Sequence, residues 1–138
     1  MRRLAALLSV VLLTACANEM DQSTRPASVV GTYALRAYGG RTLPTVVSQD
    51  SLGTTEVLSG ELVIGADHTW AETRVYRYTD AGSSQTVSLG TSGSWVYTRD
   101  AASMEFNDKI YGYPFTGTVA GGSVTLNLND GSTAIYSQ

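Results

Sequence analysis

The sequence predicts an all-β protein, an eight-stranded antiparallel up-and-down barrel that follows a signal peptide and a flexible tether. Eight segments between residues 31 and 136 alternate between apolar and polar side chains, as half-buried strands do. Short groups of turn-forming residues separate the segments, and no helical pattern lies between them. Such strands pair as successive hairpins, and pairing of the last with the first removes the exposed edges. A β-sandwich of the same strands is the structural alternative.

Residues 1–15 have the pattern of a secretion signal. Two arginines precede an apolar stretch, residues 4–13, that is too short to span a bilayer. The segment Leu13-Thr14-Ala15-Cys16 follows, and it resembles the lipobox of bacterial lipoproteins. The resemblance implies that Cys16 carries acyl chains such as palmitate and becomes the new N-terminus. An ordinary secretory signal with a chance cysteine is the alternative.

Lipid attachment at Cys16 predicts a location in the cell envelope. Two or three acyl chains would anchor the protein stably, because a single chain gives only marginal membrane binding. Ala17, where enteric-type sorting would need Asp for retention, favours the outer membrane, facing the periplasm or the cell surface. Residues 17–27 are polar and aperiodic and are predicted to be a flexible tether. The folded domain is therefore expected over residues 28–138.

The net charge and the cysteine content of the sequence limit its binding partners and its covalent cross-links. The formal net charge is −3, and loss of Arg2 and Arg3 with the signal peptide makes it −5. Phosphate binding needs a basic patch, so we expect no nucleic acid. Cys16 is the only cysteine, so the fold is expected to have no internal disulfide. We expect a monomer.

The first strand begins at Gly31, and its alternation places Tyr33, Leu35 and Ala37 on one face. The pattern Gly-Thr-Tyr-x-Leu, then a glycine turn and Leu-Pro, is similar to the opening of small bacterial lipocalin-like domains. That resemblance implies a lipocalin-like barrel. Residues 44–54 are predicted to be an irregular connection with a short helical turn. In lipocalin-like barrels this loop lies across an open end as a lid, and a plain surface loop is the alternative.

The second strand is predicted over residues 57–65, with a turn at residues 66–69. This turn holds His68, the only histidine, at a position where related domains tend to have glycine. Asp67 is adjacent, but neighbouring residues on a tight turn point apart, and no His-x-x-x-His or Gly-x-Ser-x-Gly accompanies them. We therefore expect no enzymatic activity, no metal and no cofactor.

The third strand, residues 69–79, places Trp70, Glu72, Arg74, Tyr76 and Tyr78 on one face. The resemblance implies that Trp70 points inward, which would turn Glu72 and Arg74 inward as well. Buried charges cost several kcal/mol unless they are paired or hydrated, so this arrangement would need a polar cavity or a mutual ion pair. A bulge after Trp70, or a position beyond the barrel rim, would leave both charges in solvent. On the sequence alone we favour the solvent-exposed interpretation.

The fourth strand is predicted over residues 85–98, with bends at Gly90 and Gly93. Four shorter strands follow at residues 104–106, 111–119, 124–128 and 133–136, and Pro114 is expected at a bulge or a position that donates no hydrogen bond. A domain of this length has room for only a small cavity. The residues expected to fill the interior are Tyr33, Trp70, Trp95, Phe106 and Phe115.

Two functions are compatible with this pattern. The first is binding of a small apolar or amphipathic ligand at one end of the barrel. Its candidate residues are Tyr33, Trp70, Glu72, Arg74, Tyr76, Trp95 and Phe115. The alternative is a filled barrel that acts as a protein-interaction or inhibitor module in the cell envelope, through residues 44–54 and exposed tyrosines. Inward Glu72 and Arg74 would favour the ligand, and outward ones the filled barrel.

Overall fold

The computed structural model describes residues 28–98, 103–110 and 112–138. The predicted signal peptide, Cys16 and the tether lie outside these residues. No helix within the described ranges has the length and hydrophobicity needed to cross a membrane. The strands are β1 (Gly31–Tyr38), β2 (Arg41–Thr42), β3 (Thr45–Gln49), β4 (Gly53–Ile64), β5 (Thr69–Asp80), β6 (Ser83–Tyr97), β7 (Ser103–Asp108), β8 (Pro114–Ala120), β9 (Ser123–Asn127) and β10 (Thr133–Ser137).

Eight of these strands close into an antiparallel barrel. Each strand from β4 to β9 pairs with the next, β10 pairs with β1, and β1 pairs with β4. The order of strands around the barrel follows their order in the chain, so the predicted eight-stranded up-and-down barrel is confirmed. The remaining two strands, β2 and β3, lie in the connection between β1 and β4.

The prediction of an irregular connection with a helical turn at residues 44–54 is wrong. This segment contains β3, which forms a hairpin with the first half of β4. Asp50 closes the hairpin, since its carboxylate accepts the backbone N–H groups of Leu52 and Gly53 at 2.7 and 3.1 Å. A bulge interrupts the pairing between Val46 and Ser48, and it breaks the alternation that would have identified a strand.

A second bulge changes which residues of β1 face the interior. The register with β10 shifts between Leu35 and Ala37, so Ala37 lies opposite Ile135 and Tyr38 lies opposite the buried Ala134. Directly paired residues share a face of the sheet. Tyr38 therefore replaces Ala37 on the inner face, contrary to the sequence prediction.

Pro114 is the first residue of β8 and does not interrupt a strand. Gly112, two residues earlier, has a φ of 67°, a left-handed conformation that belongs to the turn between β7 and β8 and not to a strand. The predicted sixth strand is therefore shorter at its start, and Tyr111 lies outside the described residues. Proline at a strand start removes no interior hydrogen bond of the ladder.

Aromatic side chains fill one end of the barrel. The rings of Phe106 and Phe115 stack at 5.2 Å, and Trp70 packs edge-on against them at 5.8 and 5.3 Å. A Cβ at Gly117 would lie 2.8 Å from the Phe106 ring, so glycine makes room for this stack. The predicted interior aromatics are all buried, and they are Tyr33, Trp70, Trp95, Phe106 and Phe115.

Candidate functional site

The register of β5 decides where its charged side chains lie. Its pairing with β6 runs from Thr69 to Asp80 without a shift, so Glu72 and Arg74 stay on the same face as the buried Trp70. Glu72 is only 5% exposed. The interpretation favoured on the sequence, that both charges lie in solvent, is therefore wrong. The bulge that the sequence allowed after Trp70 is absent from β5. A bulge lies instead on the neighbouring strand β4, at Leu58.

The two charges form a bidentate ion pair inside the barrel. The Arg74 Nε donates to Glu72 Oε1 at 2.7 Å, and Nη2 donates to Oε2 at 2.8 Å. The hydroxyl of Tyr136, on β10, also donates to Glu72 Oε1. The side chain of Arg74 is 13% exposed. The buried carboxylate is thus satisfied by a guanidinium and a phenol, as a buried charge requires.

Two further tyrosines surround Arg74. Its guanidinium carbon lies 5.1 Å from the centre of the Tyr38 ring, within the range of a cation–π contact. Tyr76, two residues further along β5, interacts electrostatically with Arg74 and helps to raise its pKa. The carboxylate of Asp108, on β7, accepts the Thr91 hydroxyl at 2.5 Å and acts electrostatically on Glu72. Arg74 is therefore held by contacts from three strands, counting the link to Tyr136 through Glu72.

Burial dominates the pKa shift of one member of the ion pair, Glu72, but not that of the other, Arg74. Burial raises the pKa of the Glu72 carboxyl, Arg74 opposes this, and the nearby Asp108 adds to it. Burial lowers the pKa of Arg74, but the attraction of Glu72 outweighs it and the pKa is raised overall. An ion pair alone would lower the pKa of the acid. The carboxylate lies deeper than the guanidinium, so desolvation dominates for Glu72 only.

We expect the contribution of Glu72 to stability to fall as the pH rises. Its pKa is higher in the folded than in the unfolded chain, so folding favours the protonated form. The pH-dependent part of this contribution is fully present below the ordinary glutamate pKa and is lost as the pH passes the raised value, whereas the ionised carboxylate still pairs with Arg74 above it. The measurement is the free energy of unfolding of wild type minus that of Glu72→Gln across this pH range. A difference that grows with pH would contradict the assignment.

The structure does not gather the seven predicted ligand-binding residues into one pocket. Four lie in the aromatic core: Tyr33, Trp70, Trp95 and Phe115. Their polar atoms are already used, because the Tyr33 hydroxyl donates to the Val29 carbonyl at 2.7 Å and the Trp95 indole to the Gly65 carbonyl at 3.1 Å. The other three, Glu72, Arg74 and Tyr76, lie towards the opposite end of the barrel.

Beyond Arg74, strands β3 to β6 continue as an extension of the barrel wall. Its inner side carries Gln85, opposite Tyr78, and four residues that we call the open-end face, namely Tyr76, Tyr78, Val87 and Leu89. Tyr78 is 40% exposed and Leu89 is 51% exposed. The Tyr76 and Tyr78 rings stack at 6.2 Å. This face is apolar, partly exposed and ends at a buried cation.

Three residues of this region, Tyr38, Tyr78 and Leu89, were not among the predicted ligand-binding residues. Tyr78 and Leu89 continue the alternation that starts at Trp70 and Trp95, so that signal was present. Tyr38 gave no such signal, since only the bulge in β1 turns it inward.

A groove of about 580 Å³ lies elsewhere, on the outer surface of the barrel. Its lining includes Val63, Ala71 and Ser92, which are directly paired across β4, β5 and β6 on the face opposite to Glu72. Neither member of the ion pair contributes to it. Asp108, whose charge acts on Glu72, does line the groove, so the groove lies outside the ion pair but shares this carboxylate with its surroundings.

The contacts of His68 are those of a turn residue that packs against Trp95. Its φ is 63°, a left-handed conformation that glycine adopts most easily, and its ring lies 4.7 Å from that of Trp95. Its carbonyl accepts the Trp95 backbone N–H at 2.9 Å. Among residues 28–98, 103–110 and 112–138, no group of three or more His, Cys, Asp or Glu side chains could hold a metal ion.

No protein-family model matches the chain, and no curated protein matches it. Among solved structures, the chain is similar to the crystal structure of the Cpx pathway activator NlpE from Escherichia coli, with 20% sequence identity and a TM-score of 0.40. The match covers 64% of this chain and 42% of that one, so the chain spans less than half the length of that protein. At this level the likeness supports no conclusion about fold or function.

Proposed function

We propose that this protein is a lipid-anchored cell-envelope protein whose barrel binds a small amphipathic ligand at the open-end face. The observation that carries the proposal is the position of Arg74, a buried cation at the base of a partly exposed apolar surface. Ligand sites in proteins combine such apolar walls with a few fixed polar groups.

The apolar part of the ligand would lie against Tyr78 and Leu89. These side chains face the same side as the buried core, yet they are 40% and 51% exposed. Tyrosine offers a large apolar ring with a polar tip, which suits a molecule of mixed character. The stacked pair of Tyr76 and Tyr78 provides a rigid wall at small entropic cost.

The polar part of the ligand would reach Arg74. A guanidinium has five N–H donors, and Glu72 takes one from each of two nitrogen atoms. Donors therefore remain for a hydroxyl, carboxylate or similar group. Glu72 in turn neutralises Arg74 when no ligand is present, so the site does not carry an unpaired buried charge.

The ligand must be small. Below Glu72 the interior is packed with aromatic rings, and Trp70 contacts both Phe106 and Phe115. A molecule could enter that region only by displacing this core. In this proposal Tyr33, Trp70, Trp95 and Phe115 stabilise the barrel and do not touch the ligand.

The anchor rests on the lipobox resemblance at Cys16. The protein is proposed to be a binding protein and not an enzyme, because Glu72, the buried acid of the barrel, is held by Arg74 and Tyr136. The alternative function remains a filled-barrel interaction module, which the tightly packed aromatic core favours.

The test is native mass spectrometry of Cys16→Ser, purified from cells without detergent and compared with its denatured mass. We expect this variant to be soluble and to carry an excess mass that is lost on denaturation. Tyr78→Ser and Leu89→Ser, both at exposed positions, should each weaken the affinity about tenfold, as loss of a contact worth about 1.4 kcal/mol would, and so lower the fraction of protein that carries the excess mass.

A further test variant is Arg74→Met, and its matched control is Arg77→Met. Both arginines are on β5 and both pair with a glutamate, but Arg77 is 42% exposed on the outer face, where it contacts Glu56. Only Arg74→Met should lower ligand occupancy. An absence of excess mass would overturn ligand binding and leave the interaction module. A Cys16→Ser protein that stays in the membrane fraction would overturn the anchor alone.

A further inference from the structure

Strand β6 has a long free edge. It has 15 residues and pairs with β5 along its whole length from Ser83 to Ser94, whereas β7 pairs with it only from Gly93 to Tyr97. The backbone bond from Lys109 N to Ser92 O is the last contact on the β7 side. Within the described parts of the chain, residues 83–91 therefore have no neighbouring strand on that side.

The backbone groups at this edge are available for pairing. The Ser92 and Thr98 backbones bond towards β7, and the Trp95 N–H bonds towards the β5 side at His68. Successive residues of a strand direct their backbone groups to alternate sides. The free side therefore presents the N–H and C=O groups of Ser84, Thr86, Ser88 and Gly90.

This edge lacks the protection that edge strands normally have. Natural proteins keep exposed edges short, or interrupt them with charges, proline or bulges. The edge strand β3 is protected in this way, since it has five residues, a bulge after Val46, and Pro44 just before it. Residues 83–92 contain no charge and no proline, and the β5–β6 register has no bulge.

We propose that the β6 edge pairs with the β6 edge of a second copy of this chain, in an antiparallel two-fold dimer centred on Ser88. Antiparallel pairing about a two-fold axis places Ser88 opposite its own copy and Thr86 opposite Gly90. The two edges can overlap only as far as Ser92, because β7 occupies this side of β6 from that residue onwards. This proposal replaces the monomer expected from the sequence.

The side chains of the edge suit pairing with themselves. In this register Val87 lies opposite Leu89 on the inner side, so each copy offers an apolar partner to the other, and Leu89 is 51% exposed in the single chain. The outer side carries only serine, threonine and glycine. A two-fold axis would bring like charges together if the strand were charged, and no charge is present here.

Such a contact is smaller than the roughly 1,600 Å² of a standard interface. The dimer should therefore depend on concentration. Val87 and Leu89 belong both to this edge and to the open-end face, whereas the Ser88 side chain lies on the outer side, so a change at Ser88 tests dimerisation without altering the proposed ligand site.

The test is sedimentation velocity of Cys16→Ser over a range of concentrations, with amide hydrogen exchange on the same samples. We expect a monomer–dimer equilibrium and a protection of the Ser88 amide that rises with concentration. Ser88→Lys places like charges at the dyad and should raise the midpoint concentration at least about tenfold. Ser88 is exposed, so this variant should fold, and circular dichroism checks it.

The control is Thr118→Lys, which adds the same charge at an exposed position of β8. It should leave the midpoint unchanged. A protein that is monomeric at every concentration would overturn self-pairing and leave the edge to an extended segment of another protein. A dimer that Ser88→Lys and Thr118→Lys weaken equally, or not at all, would show that the contact lies elsewhere.

Discussion

Glu72→Leu is expected to lower the free energy of unfolding by about 3–5 kcal/mol, because it leaves the Arg74 guanidinium buried without a counter-charge. Arg74 is only 13% exposed and has no second carboxylate among its hydrogen-bond partners in the described residues. The measurement is urea unfolding of Cys16→Ser, with and without the substitution, at neutral pH. The double variant Glu72→Leu with Arg74→Met should recover most of the loss, since it removes both charges and keeps the volume.

The exposed ion pair on the same strand is the control for this result. Arg77 and Glu56 lie at 2.6 Å, with side chains 42% and 21% exposed. Glu56→Leu should cost no more than about 1 kcal/mol, because solvent screens an exposed pair and hydrates the remaining charge. If Glu72→Leu costs no more than Glu56→Leu, the ion pair in the barrel is hydrated and the site is more open than we describe.

Trp70→Ala is expected to cost about 3–5 kcal/mol of stability, the usual range for loss of a large buried aromatic side chain. Trp70 is 2% exposed and packs edge-on against both rings of the Phe106 and Phe115 stack. Its indole N–H donates to the Ser94 carbonyl at 3.1 Å. Trp70→Phe should cost less, because it keeps a ring in the core and loses mainly this hydrogen bond.

Urea unfolding measures this effect as well, with Tyr113→Ala as the control. Tyr113 is 68% exposed, so its removal should change stability by no more than about 0.5 kcal/mol. Equal losses for Trp70→Ala and Tyr113→Ala would mean that the aromatic end of the barrel is not packed as described. Ligand occupancy in Trp70→Phe should stay at the wild-type level, because the proposed ligand does not reach this layer.

The buried pair and the open-end face are linked through one side chain. Arg74 bonds to Glu72 below it and reaches Tyr76 above it. The pair therefore fixes the position of the cation that the proposed ligand would meet. This gives a structural reason for a charged pair at a place where apolar residues would stabilise the barrel at least as well.

The sequence by itself determined the barrel and most of its aromatic interior. Alternation with a period of two can be read locally and tells which residues share a face, and together with the lipocalin-like resemblance it correctly placed Tyr33, Trp70 and Trp95 inside. Short turns between eight such segments left an up-and-down arrangement as the simplest closure, and the structure has it. The same alternation carries Tyr78 and Leu89 to the faces of Trp70 and Trp95, although neither was among the predicted ligand-binding residues.

Only the tertiary structure decided which strands carry the bulges and where each strand loses its neighbour. A bulge shifts every later side chain to the other face, and it depends on the register of the partner strand. The bulge in β1 brings Tyr38 to Arg74, and a bulge in β4 rather than β5 leaves Glu72 buried. The free edge of β6 arises because β7 pairs with only its last third. These features depend on contacts between strands that are far apart in the sequence, so local patterns carry no signal for them.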